Sequence, residues 1–264
     1  MRILLIGCAV LLRELSDAIV HSPHLVDAQS LPAGLHDTGA KTMRHRIQES
    51  IDGAEGKRYD TIALGYALCG TGLVGVRART IPLVLPRAHD CITLLMGSRD
   101  KYTEYFNANP GVYFRSTGWV ERDDELVEQA AGIGLSADLE ALIEKYGEDA
   151  GRYLYDEMMS YRRSYSKLTF INTGLETNDS FKQRARAEAT EKGWQFEEFA
   201  GSISLFRALL SGDWGGDFLI VPPGHQIFAT NDEQIVAAVA ADEASGGVLQ
   251  SVSVNETTPD ISDE

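Results

Sequence analysis

Five short runs are apolar on every residue or nearly so: Ile3–Ile6 within RILLIG, Thr61–Leu64 within DTIALG, Ile81–Leu85 (IPLVL), Leu168–Ile171 within KLTFIN, and Phe218–Val221 within FLIVP. A strand with one wet face alternates apolar and polar residues. A run without alternation fits a strand covered on both faces, as in a parallel sheet flanked by helices. Between the first runs the period changes. Leu11, Leu15, Ala18 and Ile19 fall on one side of a helical projection, with Arg13, Glu14 and Asp17 elsewhere, which is an amphipathic helix. Residues 24–29 fit a second strand, and residues 38–51 fit a helix capped by Asp37 or Thr38. Strands alternating with helices imply an α/β fold of doubly wound, Rossmann-like character.

Residues 98–166 break this rhythm with several helical stretches, one short strand candidate at 112–116 and most of the ten tyrosines. Arg162 and Arg163 among the tyrosines suggest a stacking surface, but aromatics at helical spacing more commonly face a core, so Tyr153, Tyr155, Tyr161 and Tyr165 are expected to pack between the two lobes. The α/β rhythm resumes with strands at 167–172, 194–199 and 218–222 and helices at 179–192, 202–210 and 232–241. The expected organisation is two Rossmann-like lobes with parallel sheets. Residues 1–97 form the first, 98–166 a helical, Tyr-rich connection, 167–254 the second, and 255–264 a disordered acidic tail.

Composition narrows the function classes. Asp plus Glu is 39 against 24 for Lys plus Arg, a formal charge of −15. A surface so negative repels phosphate backbones, so nucleic acid is not an expected partner. No run approaches the roughly 18 apolar residues that span a bilayer. Leu5–Cys8 imitates a lipoprotein cleavage site, but the apolar stretch before it is shorter than the roughly 7–15 residues of a signal peptide's core. A cytoplasmic location is therefore expected, where thiols stay reduced.

Only three cysteines are present, Cys8, Cys69 and Cys91, and each comes shortly after a strand of the first lobe. Ligands of open parallel sheets bind at the carboxyl ends of the strands, so all three thiols fall on one functional edge. His89 and Asp90 precede Cys91, and Cys91 opens the next helix, whose N-terminus should favour the thiolate. Three thiolates plus His89 suit tetrahedral zinc. Three thiolates alone suit a [4Fe–4S] cluster with one open iron. The adjacent histidine and the lack of a clustered C-x-x-C run favour zinc.

Gly70 and Gly72 flank the Cys69 turn, where they let a ligand approach the backbone. His36 ends the second strand at the same edge, and Arg87 and Asp90 are candidates for catalysis beside Cys91. His225, in VPPGHQ, is placed to close over the site from the second lobe. No G-x-G-x-x-G follows the first strand, the GTG at Gly70–Gly72 is too short to count as a dinucleotide fingerprint, and neither the P-loop nor G-x-S-x-G is present.

The stretches ALCGTGL, PRAHDCITLL and GVYFRSTGW carry a resemblance. The chain resembles a bacterial and archaeal family catalogued as domain of unknown function 1638, matched most specifically at Leu68–Gly70 and Pro86–Cys91. Genes of that family often neighbour corrinoid proteins, methyltransferases and corrinoid activators. The resemblance thus implies a part in corrinoid-dependent methyl transfer and one-carbon metabolism. The chain would be either a methyltransferase-type enzyme or an accessory protein that binds or delivers a corrinoid or a metal to a partner.

Overall fold

In the computed structural model the described residues are 1–126, 139–160 and 164–241. Four parallel strands, β1 (Arg2–Cys8), β2 (Leu25–Leu31), β3 (Thr61–Gly65) and β4 (Leu83–Pro86), build the first sheet. A fifth strand, β8 (Phe218–Val221), closes it antiparallel to β4, giving the order β2-β1-β3-β4-β8. A smaller parallel sheet runs β5 (Val112–Ser116), β6 (Lys167–Asn172), β7 (Gln195–Ala200). A hairpin of β9 (His225–Ala229) and β10 (Val236–Ala240) stands apart from both sheets in its pairing. The α/β class with two Rossmann-like lobes is therefore observed. No described helix is long and apolar enough to cross a membrane.

The apolar runs do what their pattern requires. Leu4, Ile6, Ile62, Leu64, Leu83 and Leu85 point to one face of the first sheet, where they meet Met43, Ile47 and Ile51 of α2 (Ala40–Asp52). The alternate residues Ile3, Leu5, Ala63 and Val84 point to the other face. There they meet Leu15 and Ala18 of α1 (Leu12–Val20) and Leu209 and Leu210 of the helix Ser204–Ser211. Each such side chain contributes roughly 1.5–3 kcal/mol when fully buried, so the doubly covered sheet is the stable platform of the molecule.

Three sequence expectations change. The chain does not divide into consecutive lobes. β5 lies inside the segment read as a connection, yet it pairs with β6, and β8 leaves the second lobe to join the first sheet. An apolar run announces burial but not its hydrogen-bond partner. The helix expected at residues 232–241 is absent; Val236–Ala240 forms β10 instead, because it finds an antiparallel partner in β9. The cap of α2 is Gly39, which makes no side-chain hydrogen bond, while Asp37 lies 3.3 Å from the His36 ring.

The tyrosines also divide. Tyr165 packs edge-on against Tyr113 and Trp194 inside the second lobe. Tyr153 is 65% exposed, so it packs between no lobes. Tyr161 lies outside the described residues.

Candidate functional site

All three cysteines line one cavity of about 140 Å3 at the carboxyl edge of the first sheet. Cys8 is the last residue of β1, Cys69 follows β3, and Cys91 is the first residue of α3 (Cys91–Met96), which follows β4. The loops after β3 and β4 are stitched together. Leu68 N donates to Ala88 O at 2.9 Å, and Cys69 N donates to His89 O at 2.8 Å. This pairing holds Cys69 in the left-handed region at φ 47°, followed by Gly70 at φ 70°. A side-chain-bearing residue pays strain there, and here the strained residue presents one of the three sulfurs to the cavity.

Asp90 caps α3. Its Oδ1 accepts from Thr93 N at 3.1 Å and Thr93 Oγ1 at 3.2 Å, and its Oδ2 accepts from Tyr102 Oη at 3.0 Å. His36 reaches the cavity from the turn after β2. Trp119 covers it from the second lobe, on α5 (Thr117–Glu121), which follows β5. The His36 and Trp119 rings meet edge to face, with centroids 5.8 Å apart.

Glycine makes that cover possible. A Cβ on Gly118 would stand 1.7 Å from Val10 O, in the turn directly after Cys8. Only a bare backbone lets α5 press down this far. The Arg13–Glu121 ion pair ties α5 to α1 with contacts of 3.0 and 3.1 Å. Both partners are about one-third exposed, so the pair adds little beside the packing.

The thiols are held as neutral S–H groups. Burial pushes Cys8 from 9.0 to about 11, against the pull of the Val10 backbone and the Arg122 guanidinium. Burial pushes Cys69 to about 12, reinforced by Cys8 and Asp90. Cys91 rises well above 9.0, first through burial and then through Cys69, Asp90 and Cys8. Each cysteine keeps some accessible surface, but that surface opens onto the cavity, and the protein around it still desolvates a thiolate. The expected helix-terminus thiolate at Cys91 is therefore not found. α3 has only six residues, and the Asp90 carboxylate that caps it opposes a second negative charge.

Two buried donors at this cavity lack acceptors. Tyr66 Oη has no hydrogen-bond partner, nor does Trp119 Nε1. The indole N–H lies near enough to the Cys91 sulfur to favour its thiolate, short of a full hydrogen bond. Burial and the neighbouring Cys8 and Cys69 push the Tyr66 phenol up, so it stays a donor. A buried donor without a partner costs about 1–3 kcal/mol. Two of them beside three thiols point to an acceptor-rich, anionic occupant.

Other expected site residues go elsewhere. His89 is exposed and lines a second, open cleft of about 810 Å3, together with Thr93, Arg99, Tyr102, Glu104 and Asp232. It does not line the thiol cavity, because the chain turns between His89 and Asp90; of the two neighbouring positions only Asp90 faces inward. Arg87 is a structural clamp. It donates to Phe218 O at 3.1 Å, to Gln234 O at 3.0 Å and to Val236 O, tying β4 to β8 and β10. His225 begins β9, with Nδ1 3.1 Å from Pro223 O, away from the cavity. Gly70 lines the cavity, while Gly72 makes room for Met43, whose sulfur would lie 2.2 Å from a Cβ there. Tyr66, Trp119 and Arg122 escaped the sequence reading. Tyr66 was findable as the residue directly after β3, whereas nothing in the pattern of STGW tied Trp119 to Cys91.

Among the described residues no group of three or more His, Cys, Asp or Glu side chains has the placement needed to hold a single metal ion.

A family profile described as protein of unknown function DUF1638 matches residues 30–210, more than half of the chain. The chain belongs to this family. The match takes in Cys69 and Cys91, the Trp119 helix and the second sheet, whereas Cys8 and β8 lie outside the matched DUF1638 region. No curated protein and no solved structure matches the chain.

Proposed function

We propose that this DUF1638 protein takes up a thiolate-ligated iron–sulfur cluster in the cavity between Cys8, Cys69 and Cys91. The observation that carries the reading is the convergence of three cysteines, from three strand ends, on one small cavity with two unsatisfied buried donors. Zinc, the ion expected from the sequence, needs all its donors within reach of one point. His89 lines a different cleft, and no described group meets that requirement. In a cluster each cysteine binds a different iron, so the sulfurs stand farther apart, and the inorganic sulfides accept hydrogen bonds. Tyr66 Oη–H and Trp119 Nε1–H, both without acceptors of their own, would supply such donors. When bound, a three-cysteine cluster supplies single electrons or one open, Lewis-acidic iron. Because the thiols are neutral, uptake must release their protons, so affinity rises with pH. The gene neighbourhood of the family suggests that the centre serves corrinoid-dependent methyl transfer, with a corrinoid protein or methyltransferase as partner.

The test is anaerobic reconstitution with ferrous iron and sulfide, read as metal content and visible absorption. Wild type should retain about four irons per chain with a broad charge-transfer band. Cys91→Ser should lose most of both, while His89→Ala should load like wild type. A wild type that binds no iron, or Cys91→Ser that loads fully, overturns the cluster. Stoichiometric zinc without iron would replace it with a mononuclear site.

A further inference from the structure

Another cleft, of about 690 Å3, lies on the outer side of α2 and is lined by Lys41, Arg44, His45, Arg77 and Arg79, with Thr42, Gln48 and Gly75 completing the wall. In a chain of net charge −15, this wall contains no Asp or Glu. Chance scatter of 39 acids and 24 bases would mix the signs. We propose that this cleft binds a small polyanion with at least two phosphoryl groups.

The cations are prepositioned. Gln48 fastens the loop to the helix by accepting from Arg77 N at 2.8 Å and donating to Arg77 O at 3.2 Å. Arg44 Nη1 donates to Val74 O at 3.0 Å, and Arg77 Nε to Gln226 Oε1 at 3.1 Å. Neither guanidinium is neutralised by a carboxylate in these contacts. Arg79 is partly spent on Asp52 at 2.8 and 3.3 Å, and His45 faces Glu49 at 3.4 Å. A guanidinium carries five N–H donors, so Arg44 and Arg77 are oriented by one contact each and keep most of their donors. The first turn of α2 holds no acidic residue and its Gly39 cap supplies no side-chain acceptor, leaving the positive end of the helix uncompensated.

Arg44 and Arg77 fit the forked recognition of phosphate oxygens. The charge of the wall matches a diphosphate better than a single carboxylate. No Phe, Tyr or Trp lines the cleft, so it lacks the large aromatic platform typical of single-strand binding and the aromatic anchor on which protein interfaces depend. Recognition falls on the phosphates.

Calorimetric titration of the full chain with inorganic pyrophosphate, ADP and a single-stranded oligonucleotide tests this. Pyrophosphate and ADP should bind with similar affinity, weakening as salt rises. Lys41→Gln removes a side chain that makes no hydrogen bond or ion pair among the described residues, and Arg44→Gln removes a prepositioned fork. Each should weaken pyrophosphate about tenfold or more, while Arg152→Gln, on the exposed helix Glu148–Ser160, should not. Equal binding by Lys41→Gln and wild type, or no binding of pyrophosphate at about 1 mM, overturns the site. Oligonucleotide bound more tightly than pyrophosphate would overturn it in favour of a nucleic-acid surface.

Discussion

The thiol cavity and the open cleft beside it share a wall made by the Asp90–Tyr102 hydrogen bond, yet they are built on opposite terms. The open cleft is several times larger, about 810 against 140 Å3, and its charged groups, Asp100 and Glu104 among them, are exposed to water. Arg99 bonds Glu233 O at 2.6 Å and faces Asp217 at 3.6 Å. The thiol cavity is small and mostly apolar, and it leaves Tyr66 Oη and Trp119 Nε1 unsatisfied. Exposed polar groups are satisfied by water and say little about ligands. Buried donors left without acceptors say much more, because the fold bears their cost with no return of its own. Volume alone would have chosen the open cleft over the thiol cavity.

The sharpest way to break this contrast is Gly118→Ala. The added methyl has no room above Val10 O, so α5 must lift and carry Trp119 away from the cysteines. We expect a loss of about 2–3 kcal/mol in urea unfolding and a reconstituted centre that bleaches faster in air, with the open cleft unaffected. Unchanged stability would show that α5 is not pressed against the Cys8 turn.

Cutting the shared wall should cost less. Tyr102→Phe removes the phenol's bond to Asp90 Oδ2 but leaves the Asp90 cap on Thr93 in place. Thermal unfolding should report about 1–2 kcal/mol, with iron content after reconstitution nearly unchanged. A complete loss of iron would mean that Tyr102 belongs to the cluster site itself.

The smallest effect is in the alkaline limb of stability. The folded thiols titrate above 9.0, with Cys8 at about 11 and Cys69 at about 12. Between the unfolded and folded values the native state holds more protons. The stabilisation is thus complete below about pH 9 and is lost as pH rises through 11 and 12. Metal-free wild type should lose stability over that window, and Cys8→Ser should lose less. Identical slopes would mean that Cys8 is not desolvated as described.

Much of the fold was legible because covering a strand on both faces leaves a mark on every residue in it. Ile3–Ile6 and Thr61–Leu64 could hardly be anything else, and from such strands the carboxyl edge and its three cysteines followed. The helix expected at residues 232–241 failed because small apolar residues such as Val236–Ala240 suit either period, and the deciding partner, β9, carries no matching sign in its own sequence.

Local pattern therefore determined the class of fold and the carboxyl edge of the first sheet at which the three thiols meet. Tertiary structure alone decided that β8 returns to the first sheet, that His89 turns outward while Asp90 and His36 turn inward, and that Trp119 arrives from another lobe to close the cavity. The reason is physical. Periodicity records how much of a residue is buried, and burial is a scalar. A site depends on direction and on which distant segment does the burying, here a contact between Val10 and Gly118 that no neighbouring residue in the chain encodes.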